Sequence, residues 1–193
     1  MKTSVSERVR KQGGEATREL LISTATRLFA QQGLDGVSLA EINRAAGQRN
    51  ATALHYHFGG KEGMLQAVFD KHRPRVNALR EEMLAALSER PKLQQVIAVL
   101  VAPLAEQVRD ADGGADYLQF LGQVNITPDI PRDALDKTSS HILADQQRRF
   151  AQALESVPAQ HRQLRSEFML QMVFAALASY AKEVQVDGFK EQR

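Results

Sequence analysis

Apolar side chains recur along this chain at the three- and four-residue spacing of helices, and nowhere with the alternation of a strand. Between Thr17 and Gln32, the residues Leu21, Ile22, Ala25, Leu28 and Phe29 fall on one arc of a helical wheel. Gly33 then supplies a left-handed stop, and Leu34 is placed to fold back on Phe29. A second helix is announced by Ser38 and Glu41, spaced as a capping box, with Val37 and Ile42 as a hydrophobic staple. Leu39, Ile42 and Ala46 make its inner face, and Gly47 ends it after about two turns. After Gln48 and Arg49, Asn50 can cap a third helix, Ala51 to His57, with Leu54 and Phe58 four apart and pointing inward. Gly59 and Gly60 break the chain, and Lys61 opens another helix.

Beyond Lys61 the prolines punctuate. Pro74, Pro91, Pro128, Pro131 and Pro158 mark expected helix boundaries, and Pro103 is expected to kink a helix. The runs between them predict helices over about 61–72, 75–89, 92–109, 115–126, 134–156 and 159–186. The expected fold is all-α: a three-helix head over 15–60, preceded by a flexible arm over 1–14 and followed by a larger helical bundle over 61–193. In the last helix, Leu164, Phe168, Gln171 and Ala175 share one face, while Leu170, Val173, Phe174, Leu177 and Ala181 share nearly the opposite one. A helix apolar on both sides must be covered on both sides. That predicts a homodimer with Ile142, Phe150, Leu154, Phe168, Ala175, Ala178 and Ser179 at its interface; the alternative is a deeply central helix in a monomer.

Composition narrows the class. The 193 residues are 43% hydrophobic, enough to build a core, and the absence of cysteine excludes disulfides and thiolate metal sites. The polar Met1–Gly14 segment is no signal peptide, and the uncharged run Phe168–Ala181 is too short to span a bilayer, so a cytoplasmic location with no membrane partner is expected. The net charge of +2 divides into an excess of three positive charges over residues 1–62 and one negative over the remainder, which permits a nucleic acid at the N-terminal end.

Three short helices with a glycine turn between the second and third describe a helix-turn-helix. The third is narrow enough for the major groove, and its outer side offers Thr52, His55 and Tyr56, preceded by Arg49 and Asn50. Arg can fork onto guanine and Asn can pair with adenine. Ser38 and Lys61 stand at helix starts, where side chains and free N–H groups can grip phosphates. The run Gly47-Gln-Arg-Asn-Ala-Thr-Ala-Leu-His-Tyr-His-Phe-Gly-Gly-Lys61, with Ala30-Gln-Gln-Gly-Leu-Asp-Gly-Val-Ser-Leu-Ala-Glu-Ile-Asn-Arg-Ala-Ala46 upstream, resembles the signature of the TetR family of bacterial repressors over roughly residues 17–70. Between Gly47 and Leu54 the chain is one residue longer than the commonest family pattern. The resemblance implies a dimer on palindromic operator DNA and places Ser38, Thr52, His55, Tyr56 and Lys61 where such proteins usually touch it.

It also implies a small-molecule effector inside the central bundle. Phe69, His72, Leu100, Leu104, Tyr117, Phe120, Leu121 and Asn125 are the candidate walls, suited to a largely apolar guest, with ordinary core as the competing reading. Arg8, Arg10 and Lys11 read either as part of a disordered tail or as an arm that orders on DNA. His55 and His57, two apart on a helix, diverge, so neither a metal nor any other cofactor is expected. No nucleophile elbow, phosphate loop or paired carboxylates suggest an enzyme. The alternatives to an effector-released repressor are an architectural, sequence-indifferent DNA binder and, behind it, a helical enzyme.

Overall fold

A computed structural model describes the backbone of residues 5–48, 51–127 and 140–191, and the side chains of 12–48, 54–127, 141–142 and 144–186. Among the described residues every regular element is helical. α1 (Val5–Gln32), α2 (Leu39–Ala45) and α3 (Ala51–Phe58) precede the long α4 (Lys61–Ala85). α5 (Leu93–Ala105) tightens into a turn of 3-10 helix, Glu106–Arg109, before α6 (Gly114–Ile126), α7 (Ser140–Ala153) and α8 (Ala159–Glu191).

Two expected boundaries move. α1 begins at Val5, so residues 5–14 are helical where a flexible arm was expected, while residues 1–4 lie outside the described range. Glu7, Arg8, Arg10, Lys11 and Gln12 are good helix formers, and the weak pair Gly13–Gly14 is bridged by Thr17, whose hydroxyl donates to the Gly13 carbonyl at 2.9 Å. α4 does not stop at Pro74 but runs through it to Ala85. The exposed Pro74 costs a backbone hydrogen bond, about 3 kcal/mol in a helix interior. Phe69, His72 and Val76, buried on the same helix, offset that cost. The segment 128–139, with Pro128, Pro131 and the start expected at residue 134, lies outside the described residues.

The core is continuous from head to body. Leu21, Phe29, Ile42, Leu54 and Phe58 are buried in one cluster with Val68, Leu104, Phe120 and Leu177. The Phe120 ring stands 6.1 Å from Phe29 of α1 and 5.2 Å from Phe69 of α4, centroid to centroid. The chain breaks at Gly59–Gly60 where the boundary was expected, yet the packing does not divide there.

α8 buries Leu177 and Ala181, lying against α6 so closely that a Cβ at Gly122 would sit 2.9 Å from that of Ala178. Its opposite face leaves Leu164, Phe168 (55% exposed) and Met172 (66% exposed) in the open, with Ala175 and Ser179 continuing the stripe. Three residues expected at a dimer interface are turned inward instead. Ile142 packs with Leu84 and Val99, Leu154 is buried, and Ala178 faces Gly122. The amphipathic α7 turns Ile142 toward its own subunit, and Phe150 on the same helix is half-buried.

Candidate nucleic-acid interface

The reading head is assembled by caps and glycines. Gly33, at φ +78°, closes α1 as its N–H reaches the Phe29 carbonyl at 3.1 Å. Ser38 is extended, and its hydroxyl accepts the Glu41 N–H at 3.2 Å. Among the described residues, the return bond from the Ser38 N–H to the Glu41 carboxylate is not formed, so half of the expected capping box is present. Gly47, at φ +67°, turns the chain out of α2 in a conformation that disfavours a side chain. The turn is pinned from inside by Asn43, whose side-chain amide donates to the Gln48 carbonyl at 3.0 Å.

α3 presents two faces. Leu54 and Phe58 point into the core, while His55 is exposed and Tyr56 is 85% exposed. An aromatic ring so far from any apolar cover, on the outer face of the third head helix, is free to meet a ligand surface. His57 is half-buried, edge-on to Tyr56 at 5.5 Å and tilted on Phe58 at 6.0 Å. Thr52 lies in the first turn of α3, but its side chain, like all of Arg49 and Asn50, lies outside the described residues. Half-buried Lys61 opens α4 after Gly60. Two residues further on, Gly63 lets α4 press on the end of α3: a Cβ there would collide with the Phe58 carbonyl oxygen. The exposed Ser38, His55 and Tyr56 and the half-buried Lys61 therefore belong to one small head.

The residues expected to wall an effector pocket are packed on one another. The Phe69 ring meets Tyr117 edge-on at 6.5 Å, Tyr117 lies 6.1 Å from Phe120, and His72 stacks on Tyr117 at 4.4 Å. Leu100, Leu104 and Leu121 are buried, and Asn125 is half-buried. Burial pushes the His72 imidazole down to about 4, helped by the Lys71 ammonium and opposed by Asp110 and Asp112. Asp110 is itself held below the usual carboxylate range, first by the Asp112 backbone N–H and then, against its own burial, by Arg75.

Sequence reasoning missed Lys71. Its ammonium touches Ser23 Oγ at 3.0 Å and Glu19 Oε2 at 3.4 Å on α1, and Asp112 Oδ2 at 2.9 Å before α6. These partners are far apart in the chain, so no local pattern marks them. Asn43 was legible in principle, as a polar residue beside the inner face of α2.

Comparisons with known proteins agree with this geometry. A family model described as bacterial regulatory proteins, tetR family, matches residues 21–68. The chain is 31% identical over 145 residues to the HTH-type transcriptional regulator AcrR of Shigella flexneri, covering 69% of this chain and 67% of that protein. It is 28% identical over 148 residues to the HTH-type transcriptional repressor ComR of Escherichia coli, covering 75% of this chain and 69% of ComR. Among solved structures, a tetR family transcription regulator from Shewanella superposes with a TM-score of 0.54 at 21% identity, covering 92% of this chain and 89% of that one. A gamma-butyrolactone receptor (ArpA-like protein) gives 0.53 at 18% identity, covering 91% and 99%. What these two structures share with the chain is the all-helical fold. Among the described residues no helix is long and apolar enough to cross a membrane. With the helix-turn-helix and the family match in agreement, the chain belongs to the TetR family and is a DNA-binding transcriptional regulator.

Proposed function

We propose that the protein is a repressor which binds a palindromic operator as a homodimer and is released from it by a small molecule. The observation that carries the dimer is the open stripe of Leu164, Phe168 and Met172 on α8, continued by the small residues Ala175 and Ser179. An aligned apolar stripe on a long helix, with small residues that allow close approach, suits the same helix of a second copy about a two-fold axis. Two heads then face the same side of DNA, with Tyr56, His55, Ser38 and Lys61 supported as contacts by their place on the head, and Thr52, Arg49 and Asn50 by sequence. Repression is supported by ComR, which is named a repressor. Release by a small molecule rests on the family resemblance. The apolar character first expected of that molecule loses support, because the aromatic residues that suggested it pack on one another.

Selection of genomic fragments at physiological salt, followed by footprinting, tests the reading. The expected result is a protected palindrome whose half-sites lie about one helical turn, ~34 Å, apart. Binding without sequence preference and with a steep salt slope would assign the head to the architectural alternative instead.

A further inference from the structure

We propose that Asn43 is a positioning residue for base reading: by holding both polar groups of the Gln48 backbone, it fixes the direction in which the chain leaves α2 for α3. The proposal rests on the DNA-binding activity of the protein, and not on repression, dimerisation or ligand release. In the turn, the Gln48 N–H donates to the Asn43 backbone carbonyl at 3.0 Å, and the Gln48 carbonyl accepts the Asn43 side-chain amide at 3.0 Å. The Gly47 N–H reaches the Arg44 carbonyl at 3.0 Å, which completes a Schellman end at the left-handed Gly47. Such an end satisfies N–H groups and leaves the carbonyl of its last residue free to turn. The Asn43 side chain removes that freedom. With its N–H and its C=O both held by one residue, Gln48 has its two peptide planes fixed.

Asn43 is a poor choice for stability alone. It is 6% exposed, and its Oδ1 is buried without a hydrogen-bond partner. Asparagine is a weaker helix former than alanine, and a buried oxygen left unpaired is destabilising. The side-chain amide acts beyond the end of its own helix, at the last described residue before α3. Downstream, Leu54 and Phe58 seat one side of α3 in the core, and Gly63 lets α4 close on its C-terminal end. Gln48 and Leu54 are thus the described points that bracket the first turn of α3. The exposed His55 and Tyr56 follow directly, so a change at the entry turns them relative to the rest of the head. Base edges demand donors and acceptors at defined positions, whereas a phosphate accepts a cation from many directions. An entry free to move must be ordered on binding, which weakens the base-reading complex and leaves the phosphate-held one almost untouched. The two-point hold on Gln48 therefore serves selectivity more than adhesion.

The test uses the full chain and two duplexes of equal length: the sequence that wild type enriches most from a random duplex library, and a scrambled version of it. Binding is read by fluorescence anisotropy and stability by thermal melting. Asn43→Ala removes the donor together with the unpaired oxygen, and Asn43→Leu removes the donor while keeping the volume. Each variant is expected to bind the enriched duplex about tenfold more weakly and the scrambled duplex within about twofold of wild type, with little change in melting. A purely structural role predicts another pattern: a lower melting temperature, and both duplexes bound by the remaining folded fraction in the wild-type ratio. A folded variant with the wild-type ratio of affinities overturns the proposal. Failure of both variants to fold overturns it too, and makes Asn43 a residue of the fold. Wild type that enriches no sequence overturns it together with the reading of the protein as a binder of a specific operator.

Discussion

An uncharged imidazole held in the fold makes stability depend on pH. His72 sits near 4 when folded and returns to 6.5 when the chain unfolds. Above 6.5 both states are neutral there and the stability is complete. Below it the unfolded chain takes up a proton that the fold refuses, so stability falls until the folded group also titrates near 4, a loss of about 3 kcal/mol. Asp110 acts in a lower window, because its carboxylate is favoured by the fold and its contribution disappears only as pH drops below the usual value of 3.8. Urea unfolding between pH 7.5 and 4.5 should show the first loss in wild type and a much flatter profile in His72→Phe; parallel profiles would show that His72 does not carry it. Gly63→Ala is expected to destabilise the protein by about 1–3 kcal/mol, since the collision is with the Phe58 backbone and no side chain can swing away. Tyr56→Ala should leave stability nearly unchanged. An exposed ring contributes within about 0.5 kcal/mol to folding. Operator binding measured by fluorescence anisotropy should nevertheless weaken, about tenfold for one good groove contact.

Helix ends and faces were legible because they are local. The Gly33 and Gly47 stops, the Ser38 cap and the inward Leu54–Phe58 pair each depend on residues within a few positions, and each forms where the pattern placed it. Pro74 misled, since a proline rule cannot weigh the burial of Phe69, His72 and Val76 gained by continuing α4. Ile142 and Leu154 misled for a related reason: an apolar stripe tells that α7 must be covered, not by which chain. The Lys71 tie among α1, α4 and the turn before α6 was illegible, as its partners come together only after folding. Its side chain is 11% exposed while Glu19 and Asp112 reach solvent, so Lys71→Met should cost about 1 kcal/mol in thermal unfolding. A stability change indistinguishable from zero would mean the tie is fully screened by water.

For the molecule as a whole, association and cooperativity follow from two surfaces, one open and one closed. Replacing Phe168 and Met172 by glutamate should convert the proposed dimer to monomers in sedimentation and lower operator affinity, with little effect on helix content. A dimer that survives both charges would place its interface elsewhere. The closed surface is the junction where Phe120 touches both Phe29 of the head and Phe69 of the body. One ring completes two packings, so the reading head is not a detachable module. A fragment ending at Gly60 would leave Phe29 bare on one side, and a chimaera joined there would set a foreign ring against it. Recombining DNA specificities within this fold would therefore require a graft that carries the α6 side of the seam along with the head, and calorimetry of the intact chain should record a single melting event.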